Sequence, residues 1–207
     1  MTTATSTITR KAAKAKPDSA VTAERFKQGL ASFKSWMDAI EKNKDAFQRH
    51  YDEFQPDPAD VEVLKRLVSE HGVKALCLGE DWCPDVWRGL PVACKLADAA
   101  GMELRLFKRD ENKDVMAEFL KDGEFESVPT IVFYDRDHRY LGHWIERADR
   151  ANDEMKGLRE ILAGKERGTP EFDEARATYT AKTWELAGGW RQAQVKELIA
   201  LLREALS

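Results

Sequence analysis

Trp82-Cys83-Pro84-Asp85-Val86 lies between an apolar run, Val73-Lys74-Ala75-Leu76-Cys77-Leu78, and a helical pattern from Val86 to about Ala100. The run reads as a buried strand and the pattern as an amphipathic helix, so Cys83 stands where one hands over to the other. A thiol at that junction meets unpaired N–H groups and the positive end of a helix dipole, and both favour thiolate. A cysteine three residues further on would resolve a mixed disulfide, but that position holds Val86. Cys94 lies 11 residues along the helix, roughly 16 Å away, beyond the ~7 Å that a disulfide allows between Cα atoms. Cys77, six residues back in the strand, is roughly 10–20 Å off. Cys83 therefore reads as a solitary thiol, and Cys77 and Cys94 as buried small hydrophobes.

Two further sites fall at informative distances. Pro91 follows Cys83 by eight residues, and Val128-Pro129-Thr130 leads into an apolar strand, Ile131-Val132-Phe133-Tyr134. With Trp82-Cys83, Pro91 and Val128-Pro129-Thr130 in this order, the chain resembles the thioredoxin superfamily over about residues 60–165. The resemblance implies an α/β thioredoxin-like fold, a mixed central sheet with helices on both faces, here with N- and C-terminal helical extensions. It implies that Pro91 kinks the helix, and that Pro129 follows a cis peptide bond and faces Cys83. It also implies that Cys83 is the catalytic thiol. Trp82, Pro84, Asp85, Val128, Pro129 and Thr130 would then contact substrate, with the backbone at Val128 pairing to an extended segment. Two departures bear on activity: Val86 replaces the resolving cysteine, and Cys77 stands where many thioredoxins carry a buried aspartate. Both point away from dithiol reduction.

Local charge tempers the thiol. Glu80, Asp81 and Asp85 surround Cys83 and disfavour its thiolate, while Arg88 partly offsets them. The expectation is a modestly reactive sulfur. Asp85 reads either as a proton relay or as a first-turn acid that stabilises the helix. Trp82 and Trp87 are candidates to shape a groove, whereas Trp36, Trp144 and Trp184 fall on apolar faces. His50, His71, His138 and His143 lie in separate elements without ligand spacing and read as surface histidines. No Gly-rich phosphate loop, nucleophilic serine motif or paired-cysteine zinc site is present.

The 207 residues are 43% hydrophobic and 34% charged, with a net charge of −4, as in a soluble globular protein. That charge gives no reason to expect nucleic acid. No apolar run reaches the ~18 residues that a membrane helix needs. Three cysteines without framework spacing suit a reducing compartment, and the cytoplasm is the expected location. Residues 1–20 carry Arg10, Lys11, Lys14 and Lys16 against Asp18 alone, and they read as a disordered tail. An organelle transit peptide is the alternative for that acid-poor, hydroxyl-rich start.

Residues 21–59 form the N-terminal extension. A helix is expected from Val21 to about Tyr51, capped by Thr22, with an apolar stripe of Phe26, Leu30, Phe33, Met37, Ile40 and Phe47. Asp60 is expected to cap the next helix, which ends near His71-Gly72. The domain at 60–165 then reads β-α-β-α-β-β-α, with a helix from Asn112 through Leu120, a hairpin around Asp135–His138 and a helix from Asn152 to Ala163. In the C-terminal extension, 166–207, Thr169-Pro170-Glu171 opens a helix that is expected to break at Gly188-Gly189 and resume at Trp190. Val195, Leu198, Ile199, Leu202 and Leu206 give its last stretch an apolar face, which must cover the core, the N-terminal helix or a second copy in a homodimer.

Two functions follow. The first is monothiol exchange through Cys83 on protein or peptide disulfides, with an external thiol resolving the mixed disulfide. No bound cofactor is expected, and glutathione is the candidate co-substrate. The second is a redox-inactive binding or assembly module that uses the same groove or the terminal helices.

Overall fold

The computed structural model describes residues 8–9 and 19–207. The tail and transit-peptide readings of residues 1–20 fall largely outside the described residues. At 8–9 only the backbone is described: β1 (Ile8–Thr9) runs antiparallel to β5 (Tyr140–Ile145), opposite Trp144 and His143.

The sheet has the order β1-β5-β4-β2-β3. Strand β2 (Lys74–Gly79) pairs in parallel with β3 (Glu103–Lys108) and antiparallel with β4 (Thr130–Tyr134), which pairs antiparallel with β5. The parallel pair needs a crossover, and α5 (Pro84–Ala100) supplies it. Alternation along β4 serves two apolar layers. Ile131 and Phe133 face Leu64 of α4 (Pro58–His71), Ala93 and Leu96 of α5, and Leu198 and Leu202 of α8 (Pro170–Ala205). Tyr134 meets the ring of Phe26 in α1 (Ala23–Lys27) on the other side. The mixed sheet with helices on both faces is as the sequence implied. Pro91 lies inside α5, as expected.

The N-terminal region is three helices, α1, α2 (Phe33–Ala39) and α3 (Lys44–Glu53), and not one. The single apolar stripe hides two tertiary demands on the backbone. Leu30 exchanges hydrogen bonds with Leu106 at the edge of β3 (2.9 and 2.8 Å), which ends α1. Gly29 permits that approach, since a Cβ there would lie 2.5 Å from the Phe107 ring. Ser32 then restarts the helix with a capping box. After α2, the Asp81 carboxylate accepts the N–H groups of Glu41 and Lys42, both at 2.9 Å, and Asn43 turns the chain at φ 57°.

Other boundaries move for local reasons. Asp57, not Asp60, caps α4, accepting from the Ala59 N–H at 2.8 Å with Pro58 in the first turn. Asp60 instead pairs with Lys196 at 2.6 Å. Helix α6 is a single turn, Lys113–Met116, and α7 is Asp149–Arg159. Helix α8 does not break at Gly188-Gly189. Two glycines cost a helix about 2 kcal/mol relative to alanine, and the buried Ala187, Trp190 and Arg191 that flank them outweigh it. Gly189 has a use, because a Cβ there would lie 2.9 Å from the Arg150 guanidinium carbon.

The apolar face of α8 is buried within the chain. Val195, Leu198, Ile199 and Leu202 join the main core, to which Leu206 packs at the margin. Among the described residues no helix is long and apolar enough to cross a membrane.

Candidate thiol site

Strand β2 ends at Gly79 and α5 begins at Pro84, which leaves Cys83 as the helix N-cap. Its carbonyl accepts the N–H groups of Val86 (3.0 Å) and Trp87 (3.3 Å), so the first turn is closed directly behind the sulfur. The Val128–Pro129 peptide bond is cis. Across the cleft, the Cys83 Sγ lies 3.6 Å from the Val128 carbonyl oxygen, within reach of an S–H donor. Two segments 45 residues apart in sequence thus meet at one sulfur.

Helix and proline loop come this close because Gly89 has no side chain. A Cβ at Gly89 would stand 3.0 Å from Pro129 Cγ and 3.2 Å from Gln194 Oε1. Gly89→Ala is therefore expected to lose more to overpacking, about 1–3 kcal/mol, than the ~1 kcal/mol that alanine gains within a helix, a net loss read as a lower urea midpoint. An unchanged midpoint would show that Pro129 can retreat freely. Thr130 is fully buried, and its hydroxyl donates to the Ser127 carbonyl at 2.8 Å. It shapes the loop from within and offers no surface to a ligand.

Electrostatics at Cys83 oppose the simple helix-dipole expectation. Burial pushes the thiol up from its ordinary value, and the Asp85 charge adds to that. The N–H groups of Val86 and Asp85 and the Arg88 cation pull the other way, but burial prevails. Glu80 and Asp81 are occupied elsewhere: Glu80 accepts from the Asp110 N–H at 2.7 Å, and Asp81 holds the α2–α3 turn. Asp85 is ion-paired to Arg88 (2.9 Å) and to Arg147 (3.5 Å), an arrangement that suits a structural acid.

The two tryptophans part company. Trp82 is 47% exposed beside Cys83, with the Arg109 guanidinium 5.3 Å from its ring centre. Arg109 also donates to the Glu126 carbonyl at 3.1 Å, tying the Trp82 loop to the segment before Ser127. Trp87 turns away from the cleft toward His50 and Trp184. Pro84 is exposed at the helix start, while Val128 and Pro129 are buried. Cys77 and Cys94 are fully buried free thiols, pushed up by desolvation. The surface reading of the histidines fails for His50 and His143, which are 1% and 7% exposed.

Arg147, Glu146 and Arg109 belong to the site but carry no sequence motif. The first two arrive through strand register: Thr130 pairs with Ile145, which sets Glu146 beside Pro129 with its N–H donating to the Pro129 carbonyl at 2.7 Å. Glu146 accepts ion pairs from Lys121 and Arg147. The hairpin register was the one signal that could have located them.

A thioredoxin family model matches residues 30–161. A crystal structure of a protein of unknown function from Pseudomonas aeruginosa superposes with a TM-score of 0.64 at 20% identity, covering 89% of this chain and 99% of that one. A second, described as an HIV epitope-scaffold, gives 0.62 at 21% identity with the same coverage. At such identities the likeness concerns the fold. No curated protein matches the sequence significantly. With a match over well more than half its length, a cis peptide bond before Pro129 and a cysteine at the head of α5, the chain belongs to the thioredoxin family.

Proposed function

We propose that the protein carries out monothiol exchange through Cys83. The observation that supports this most is the 3.6 Å approach of the Cys83 sulfur to the Val128 carbonyl beside the cis bond. In the reaction, Cys83 loses its proton to solvent and its sulfur attacks one sulfur of a protein or peptide disulfide. The substrate S–S bond breaks, a mixed disulfide forms and the other half leaves as a thiolate that takes up a proton. An external thiol, for which glutathione is the candidate, then attacks the mixed disulfide and regenerates Cys83. Trp82, Pro84 and Val128-Pro129 border the sulfur and would contact the substrate chain. Asp85 would act through the helix start, and Thr130 by shaping the loop.

Cys83→Ser is expected to lower exchange with a glutathionylated peptide by at least about tenfold, while Cys94→Ser leaves it intact. Equal rates in the parent and both variants would rule the reaction out. One feature favours a second reading, a redox-inactive binding module: Cys83 is half-buried, and that burial pushes its thiol up, away from the reactive thiolate. Under that reading the same assay shows no exchange in the parent either.

A further inference from the structure

The matched family segment stops at residue 161, yet two residues of α8 reach into the thiol site from beyond it. Gln194 is 4% exposed, and its side-chain N–H donates to the Gly89 carbonyl at 3.0 Å. That contact falls at the point where Gly89 meets the Pro129 ring. One turn on, Glu197 accepts from the Trp144 indole N–H and from the Asp149 backbone N–H, both at 2.8 Å. Those donors bracket the segment from Trp144 to Asp149, and within it the Glu146 N–H holds the Pro129 carbonyl at 2.7 Å. Residues three apart on a helix share a face, so one face of α8 is bonded to both walls of the cleft.

We infer that α8 is a working part of the thiol site, with Gln194 bracing α5 and Glu197 bracing the Pro129 loop at a fixed spacing that keeps Cys83 half-buried against Val128. Both are positioning residues. The reach of α8 is no accident of one contact. Leu201 packs on β5 at Gly142, where a Cβ would lie 3.0 Å from its methyl group. Arg191 fixes the same helix to α3, through His50 at 2.7 Å and Glu53 at 3.3 Å. Loosening either brace lets the walls part. Water then reaches a sulfur whose thiol form is favoured mainly by its exclusion, and the sulfur becomes more reactive. The functional consequence rests on Cys83 being the exchange thiol, but the spacing itself does not.

The test is site-resolved alkylation of the intact, folded chain with iodoacetamide near pH 7.5. Gln194→Met keeps volume and removes the hydrogen bond; Glu197→Gln sets an NH₂ group against one of two donors. Each is expected to speed labelling of Cys83 by at least roughly threefold through local opening. Cys77 and Cys94, buried in the core, should stay unlabelled over the same period. An unchanged or slower Cys83 rate in both variants would overturn the inference. So would a parallel rise at all three cysteines, which is the mark of global unfolding. Exchange activity is not read here, so failure of the proposed reaction would leave this outcome standing, and the reverse also holds.

Discussion

Lowering the pH from 7 to 5 should cost the fold about 2 kcal/mol through His50 alone. This histidine is buried between α3, α5 and α8, stacked on Trp184 at 4.1 Å, and its Nδ1 accepts from Arg191 at 2.7 Å. An imidazole in that role is neutral, since Nδ1 must offer a lone pair. Burial first, and then the cations Arg191, Arg88 and Arg49, hold its pKa at about 3 instead of 6.5. The sign follows from that depression. Above pH 6.5 both folded and unfolded chains carry a neutral imidazole and His50 costs nothing. Below it the unfolded chain takes a proton that the folded chain refuses until about pH 3, so stability falls throughout that window. Denaturant titrations at the two pH values check the figure. His50→Gln keeps an acceptor for Arg191 but cannot titrate, so it should lose about 2 kcal/mol less than the parent over the same interval. Equal losses in the two proteins would show that His50 is not the group responsible.

Which properties could be read from the chain, and which could not, divides by physical range. The apolar run, Cys83 and the helical pattern after it show the strand–helix handover. The order of Cys83, Pro91 and Pro129 carries the family resemblance, which implied the cis proline loop facing the sulfur. Local chemistry also placed Thr22 and Thr169 as caps, since each needs only its own next three residues. The stripe from Phe26 to Phe47 misled because periodicity reports which side chains are buried, not where backbone groups find partners. Leu30 satisfies its backbone on β3, and nothing within the stripe announces an edge strand that far along the chain. Gly188-Gly189 misled in the opposite sense, since helix propensity is weak against packing on both sides of the pair.

The thiol shows the same division at the site itself. Helix dipole and flanking charges are local and legible, and together they made Cys83 modestly reactive. Desolvation is tertiary, set by packing such as the approach of Val128 to the sulfur, and it pushes the thiol up against the local helix terms. Arg147 and Glu146 were out of reach for the same reason, because only the pairing of β4 with β5 brings them to Pro129.

The absent resolving thiol suggests the largest gain. Val86→Cys is expected to give a protein that reduces insulin at least about tenfold faster than the parent. The Val86 N–H donates to the Cys83 carbonyl at 3.0 Å, and a turn closed in this way holds its end Cα atoms within about 7 Å, the reach of a disulfide. Val86 is fully buried, with a methyl 2.7 Å from where a Gly79 Cβ would stand. Gly79 leaves that space open, so the smaller cysteine side chain fits without a clash, at a cost of about 1 kcal/mol in lost packing. In the variant, Cys83 attacks the substrate disulfide, and the new thiol then attacks the Cys83 sulfur of the mixed disulfide. The substrate leaves with both its sulfurs reduced and the protein retains an internal disulfide, two electrons having passed. Mass spectrometry of the non-reduced product should show a loss of two hydrogens confined to the peptide that spans residues 83–86. Insulin reduction at the parental rate, with no such bond formed, would mean that the cleft around Cys83 does not admit a disulfide substrate at all.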